Sequence, residues 1–326
     1  MMVALAPSSR DTVMTDGTAR LYRFPAGAPG GPPVLLVPSL INRWYVLDLR
    51  AGSSMVEGLT AAGLDVFCLD WGEPNDEDRY LEWDDVVARL SRTIRRVRRE
   101  VGGEAVGVLG YCIGGTLSTI HTALEPDSVS ALVNLAGPID FSEAGFLGHM
   151  TNPRWFDPEA IAGAGNMSAQ QMQAGFVALR PTAPLSKWVG FLDRLGDAER
   201  LEALQSLETW ASDNIAFPAA AYVRYIKELY QENRLIKGEH AVRGKKVDLS
   251  RITCPVMTVT TGRDVICPPP SALALNQRAS SEDKRHVSIP GGHVGAVVGE
   301  KARTILYPAL AKFFRETCSS SRASRA

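Results

Sequence analysis

The run Gly110-Tyr111-Cys112-Ile113-Gly114-Gly115 sets a cysteine at the apex of a glycine-flanked turn. It follows an apolar stretch at 105–109 and opens a helix-like stretch at 113–124. This is the G-x-nucleophile-x-G arrangement of a strand-to-helix elbow, with a thiol in place of the usual hydroxyl. The glycines let strand and helix approach closely, and the apex side chain stands above the sheet. The backbone N–H of Ile113 begins the helix, where it can face a developing oxyanion. A helix N-terminus also favours a thiolate. The blander role for such a residue is a buried, inert cysteine in a glycine-rich turn.

A nucleophile of this kind needs an acid and then a histidine later in the chain. Of the five histidines, His121 lies on the helix after the elbow, and His149 and His240 fall in a long middle region. His286 lies inside a strand-like run, where packing is the usual role. His293 follows Pro290-Gly291-Gly292, in a loop past the last strand-like run, and such a loop can reach back over the elbow. Asp264, in Thr261-Gly262-Arg263-Asp264, follows the run at 256–260 and precedes His293. It is the candidate to accept the Nδ1 proton of His293, which leaves Nε2 as the base toward Cys112. The alternative for Asp264 is a surface pair with Arg263, which would contribute little. A second oxyanion donor is expected after the first apolar strand run, in Pro38-Ser39-Leu40-Ile41-Asn42. The amide of Ser39 or of Leu40 is the candidate.

A thiolate exchanges with a thioester at almost no free-energy change, so the acyl group keeps its transfer potential. With serine an oxygen ester would form and much of that driving force would be lost. Cysteine therefore suits an acyltransferase fed by thioesters. It suits a thioester hydrolase too, so the nucleophile alone leaves transfer and hydrolysis open. Transfer requires that water lose to another acceptor, and a capped, dry site favours that outcome.

The elements that must position these groups are legible as short apolar runs. Strands are expected at 33–37, 64–69, 105–109, 129–135, 256–260 and 285–289. Helices are expected at 54–62, 83–100, 113–124, 170–178, much of 185–230, and 301–315. Strands alternating with helices imply an α/β fold, a mostly parallel sheet covered on both faces. Residues 1–138 and 251–318 read as the core. Residues 139–250 hold no good strand and read as an inserted helical cap over the carboxyl ends of the strands, where ligands bind in such sheets. Residues 1–31 read weakly, and 319–326 as a disordered polar tail. In the helix at 83–100, Val86, Val87, Leu90, Ile94 and Val97 share a face. Arg92, Arg95, Arg96, Arg98 and Arg99 lie opposite, as a solvated face near a helix C-terminus.

The 326 residues carry 35 Lys+Arg against 36 Asp+Glu, a net charge of −1. Neutralising many phosphates calls for a basic excess, so nucleic acid is not an expected partner. No apolar stretch is long enough to span a bilayer. The start carries no charged segment followed by an apolar core, so a cytoplasmic location is expected. Five cysteines without a C-x-x-C pair argue against a zinc site or a disulfide framework. No metal and no cofactor are expected. Cys68 and Cys254 are expected to pack, as is Cys267, although it lies near Asp264. Cys318, in the tail, is expected to be exposed.

With these residues in place, the chain resembles the poly(3-hydroxyalkanoate) synthases, most closely the short catalytic subunits of the two-component kind. The resemblance is carried by Pro38-Ser39-Leu40-Ile41-Asn42-Arg43, Leu69-Asp70-Trp71-Gly72-Glu73-Pro74 and Gly110-Tyr111-Cys112-Ile113-Gly114-Gly115-Thr116. It continues through Glu208-Thr209-Trp210, Ile226-Lys227-Glu228-Leu229-Tyr230, Ile252-Thr253-Cys254-Pro255-Val256 and Pro290-Gly291-Gly292-His293-Val294-Gly295. It spans about residues 20–316. It implies an α/β-hydrolase fold and a Cys112–Asp264–His293 set acting on 3-hydroxyacyl-coenzyme A. Cys112 would carry the growing polyester, His293 would deprotonate the thiol, and Asp264 would help activate the 3-hydroxyl of the incoming unit. It also implies a homodimer, a helical partner subunit and a place at the polyester granule surface. Two features depart from the pattern. Val265 stands where the family has a histidine after the acid, and the N-terminal region is shorter than in the two-component subunits. The alternative activity is a cysteine-dependent hydrolase acting on acyl-coenzyme A or on the polyester.

Overall fold

Strands buried on both faces read as unbroken apolar runs, and the runs at 33–37 and 129–135 are buried at every position. The computed structural model describes residues 4–25, 30–179 and 198–323. Among them one sheet holds β1 (Asp11–Asp16), β2 (Ala19–Phe24), β3 (Pro33–Val37), β4 (Asp65–Asp70), β5 (Val106–Tyr111), β6 (Val129–Leu135), β7 (Val256–Thr261) and β8 (Lys284–Ile289). Their spatial order is β1-β2-β4-β3-β5-β6-β7-β8. The pairs β1·β2 and β2·β4 are antiparallel and the rest parallel. Val37 pairs with Gly110, and Tyr111 pairs with Leu135, so the carboxyl ends of β3, β5 and β6 are level beneath the elbow.

Both faces are covered, as the alternation predicts. The helices α2 (Trp83–Glu100), α3 (Ile113–Leu124) and α4 (Pro269–Arg278) pack on one, through Leu90, Ile94, Leu117, Ile120 and Leu275. On the other, α1 (Met55–Ala61) and α5 (Tyr307–Ala323) bring Met55, Leu59, Leu310, Phe313 and Phe314. The predicted apolar stripe of α2 is buried, and Glu82 with Asp85 forms its capping box. Arg92 pairs with Asp16 at 2.7 Å and Arg95 with Glu125 at 3.4 Å, both on the exposed side.

Between β6 and β7 the chain forms the helices Gly145–Met150, Pro158–Ala162, Ala169–Leu179, Ala198–Ser212 and Ala219–Arg224, then a π-helix at Tyr225–Gln231. A two-residue hairpin pairs Ala241–Val242 with Lys245–Lys246. The part of the expected helix at 185–197 lies outside the described residues. Polar contacts anchor this region to the start of α2. Arg224 pairs with Asp84 at 2.6 Å, and Trp83 Nε1 donates to His240 Nε2 at 3.2 Å.

Three expectations fail for physical reasons. The weak N-terminal segment forms β1, a largely exposed edge strand, and β2, whose buried Ala19, Leu21, Tyr22 and Phe24 are interrupted by Arg20 and Arg23, so neither carries an apolar run. The last helix continues to Ala323, so the expected tail is helical over 319–323. Cys318 is buried, not exposed: it sits on the inner face of α5, and its sulfur lies 3.2 Å from Ser130 Oγ. Gly107 has no side chain there, and that gap admits the Phe314 ring and the Cys318 sulfur.

Candidate active site

The elbow is tight because two glycines allow it. A side chain at Gly110 would fall 2.2 Å from the Gly114 carbonyl oxygen, and one at Gly114 would fall 2.1 Å from that of Val37. Cys112 takes φ 58° and ψ −127°, a strained conformation for any residue with a side chain. It is the N-cap of α3, whose first amides have no partner within the helix. The Ile113 amide is one of them. Close packing of Gly114 on the end of β3 sets the Ser39 and Leu40 segment beside that helix start. Both residues are buried, and Ser39 Oγ has no hydrogen-bond partner.

The loop after β8 brings His293 over this turn. Nδ1 of His293 lies 2.7 Å from Asp264 Oδ2. Asp264 is itself held by Thr261 Oγ1 and by the amides of Ile266 and Cys267, each at 2.9 Å. Burial alone would raise the Asp264 carboxyl. The His293 hydrogen bond and charge, with the two amides, outweigh burial and hold it below the usual carboxylate range. A carboxylate only accepts, so it fixes the tautomer with the proton on Nδ1. Nε2 makes no hydrogen bond within the usual distance, and His293 and Cys112 line the same small cavity. Burial pulls the His293 pKa down, but the charge on Cys112 and the bond to Asp264 push it well above an ordinary histidine. The His293 ring stacks on Tyr111 with centroids 5.2 Å apart. The three residues named from the sequence are thus brought together.

Two cavities meet at Cys112. One, of about 360 Å³, runs under the inserted region and is walled mainly by apolar side chains such as Ile113, Leu147, Met150, Phe156 and Phe217. The other, of about 180 Å³, includes His293, Asn42, Trp210 and Asn214. Ile266 borders both.

Comparison with known proteins agrees with this geometry. Residues 32–300 match the model of the alpha/beta hydrolase fold family. A poly(3-hydroxyalkanoate) polymerase subunit PhaC of Allochromatium vinosum is 33% identical over 95% of this chain and 89% of its own length. One from Synechocystis is 32% identical, over 94% and 84%. Among solved structures, a monoacylglycerol lipase of Paleococcus ferrophilus superposes with TM-score 0.56 at 17% identity, covering 91% of this chain and 99% of the lipase. That likeness concerns the fold. The chain belongs to the poly(3-hydroxyalkanoate) polymerase family, within the alpha/beta hydrolase fold.

Within this polymerase-family chain the remaining histidines have other surroundings. His121 is buried between Ser91 and Ser128, His149 stacks with Phe146 and packs at a tilt on Trp155, and His240 bonds Trp83 and Glu228. His286 is exposed on the edge strand β8, where Nε2 meets Thr260 Oγ1 at 2.9 Å; the expected packing role is not what an edge offers. Cys267 packs on Ala136 and Ala272, and its amide serves Asp264. Sequence reasoning missed two residues. The indole of Trp71 donates to the Pro38 carbonyl, and that of Trp210 donates to the Arg43 carbonyl, each at 3.0 Å. They grip both ends of the loop that follows β3. Asn42 and Asn214 bond each other between them at 2.6 Å, and the Ile215 amide donates to the Ile41 carbonyl. The two indoles stand in the motifs that carry the family resemblance, and that is the signal that could have found them. Among the described residues no group of three metal-ligating side chains comes together, and no helix is long and apolar enough to cross a membrane.

Proposed function

We propose that Cys112 is the nucleophile of an acyltransferase that joins 3-hydroxyacyl units from coenzyme A thioesters into polyhydroxyalkanoate. The observation that carries the assignment is the Cys112–His293–Asp264 alignment at the carboxyl end of a parallel sheet. His293 Nε2 takes the thiol proton as sulfur attacks the thioester carbonyl. The oxyanion is received by the Ile113 amide and by one from Ser39 or Leu40. The carbon–sulfur bond to coenzyme A breaks, and its thiolate leaves with the proton from His293. The same imidazole then accepts the proton of an incoming 3-hydroxyl. That oxygen attacks the acyl group on Cys112, an ester forms and the thiol is regenerated. Asp264 holds the imidazole in the tautomer this needs. No cofactor enters beyond the coenzyme A of the substrate.

The apolar 360 Å³ space beside the sulfur supports transfer over hydrolysis, because a dry wall around the acyl-enzyme disfavours water. A homodimer with a helical partner subunit is the proposed working assembly; the relatives are named as subunits, which supports an assembly of more than one chain. Phe146 and Trp155, more than half exposed beside His149, are the apolar rings through which the inserted region would meet a polyester granule surface. Acid quench after mixing with 3-hydroxybutyryl-coenzyme A, followed by peptide mass mapping, tests the assignment. The acyl group should be found on the peptide containing Cys112 and be missing in Cys112→Ala. Acylation of another residue, or none with wild type, would overturn it.

A further inference from the structure

The π-helix at Tyr225–Gln231 has a consequence for the large cavity. In an α-helix, residues five apart point about 140° away from one another. The i→i+5 bonding of a π-helix widens the turn and brings residues five apart much closer to one face. Tyr225 and Tyr230 therefore share a face, with ring centroids 5.5 Å apart, and both line the cavity that contains Cys112. The segment is fixed at its far end. Gln231 Nε2 donates to the carbonyls of Thr151 and Phe156 at 3.0 Å, and Asn233 donates to Asp140 at 2.8 Å. Phe141 sits edge-on against both phenols.

Besides Cys112, the other polar side chains on that wall are Thr151, Gln171 and Tyr222. Thr151 Oγ1 is spent on the Leu147 carbonyl, and Gln171 Oε1 on the Ser168 amide. A phenol buried beside apolar walls normally finds a partner. The two rings lie 5.5 Å apart on one cavity wall, and a bond between their hydroxyls would occupy one hydrogen at most and leave one to donate. Both line the cavity that Cys112 also lines, which sets them on the same space as its sulfur.

We infer that the Tyr225–Tyr230 pair is a specificity device that hydrogen-bonds the oxygen on carbon 3 of the acyl group held on Cys112. The inference rests on the acyl-transfer reading above and adds how a hydroxyacyl thioester is told from a plain one. A site built to bond a substrate hydroxyl discriminates against the analogue that lacks it.

The test measures acylation of the full chain by 3-hydroxybutyryl-coenzyme A and by butyryl-coenzyme A, for wild type, Tyr230→Phe and Tyr225→Phe. Coenzyme A release in single turnovers gives kcat/KM for each. At least one variant should lose about tenfold with the hydroxylated substrate, the size of one hydrogen bond of about 1.4 kcal/mol, while staying within about twofold with butyryl-coenzyme A. The ratio of the two substrates within one preparation is insensitive to any fraction that fails to fold. Equal losses on both substrates would make the phenols packing groups and overturn the inference, as would no loss in either variant. Wild type that discriminates by the hydroxyl while both variants keep that discrimination would overturn the inference and leave the acyl-transfer reading standing. Wild type acylated by neither substrate would overturn both.

Discussion

Of the three buried histidines of this chain, His121 and His293 are opposites. His121, on α3, has Ser91 Oγ and Ser128 Oγ at 2.9 Å from its two ring nitrogens. Burial, and to a lesser degree Arg95, push its pKa down to about 3. His293, in the loop after β8, has the Asp264 carboxylate on Nδ1 and shares a cavity with Cys112, and its pKa is driven up. Burial acts in the same direction on both, so burial does not decide. The partner does. A hydroxyl can donate or accept and so satisfies a neutral ring, whereas a carboxylate only accepts and favours the cation. One ring is a satisfied structural group. The other is poised to take a proton.

Exchanging these roles should fail most visibly at His293. His293→Gln should lower kcat on the order of a thousandfold with little change in thermal midpoint. His121→Gln should leave kcat within about twofold and lower the midpoint. Parallel kinetics and melts on both variants decide between them, and similar activity losses would erase the contrast. Asp264→Asn comes next. An amide can present a donor to Nδ1 and favour the wrong tautomer, so kcat should fall on the order of a hundredfold or more at neutral pH. Steady-state rates near wild type would mean that Asp264 is dispensable.

The contrast also has a pH signature in stability. His121 binds its proton with a pKa of about 3 when folded, against about 6.5 when unfolded, so the unfolded state protonates first. Its contribution is whole above about pH 6.5 and is lost as pH falls toward 3. By pH 4.5 the loss is about 2 to 3 kcal/mol. Urea midpoints of wild type should drop over that interval, and those of His121→Gln should drop less. The smallest effect is expected at Trp71. Trp71→Phe keeps the ring but removes the donor to the Pro38 carbonyl, and kcat should fall about three- to tenfold through a looser loop after β3. An unchanged kcat would show that the loop needs no such grip.

The catalytic half of this contrast was more legible in the sequence than the structural half. Cys112, Asp264 and His293 stand at loop positions fixed by strand ends, and buried parallel strands are unbroken apolar runs that are easy to see. The core helices follow from their apolar periodicity in the same way. Nothing local marks His121 as a neutral ring, because its two serines come from α2 and from the turn after α3, thirty residues before it and seven after. The strands β1 and β2 were invisible for a related reason: β1 is a largely exposed edge, and in β2 Arg20 and Arg23 interrupt the buried residues, so no apolar run forms. Cys318 looked like a surface residue because the space it fills is made by Gly107, far away in sequence. The π-helical register that aligns Tyr225 with Tyr230 is likewise a tertiary outcome, and sequence periodicity gives no sign of it.

The most direct test of the central claim is the fate of the acyl group. Purified full chain is incubated with 3-hydroxybutyryl-coenzyme A, free coenzyme A is followed, and the acyl product is sized. The account predicts coenzyme A release accompanied by polyester of many units, lost in Cys112→Ser. Coenzyme A release with only free 3-hydroxybutyrate, or polymer at wild-type levels from Cys112→Ser, would contradict it.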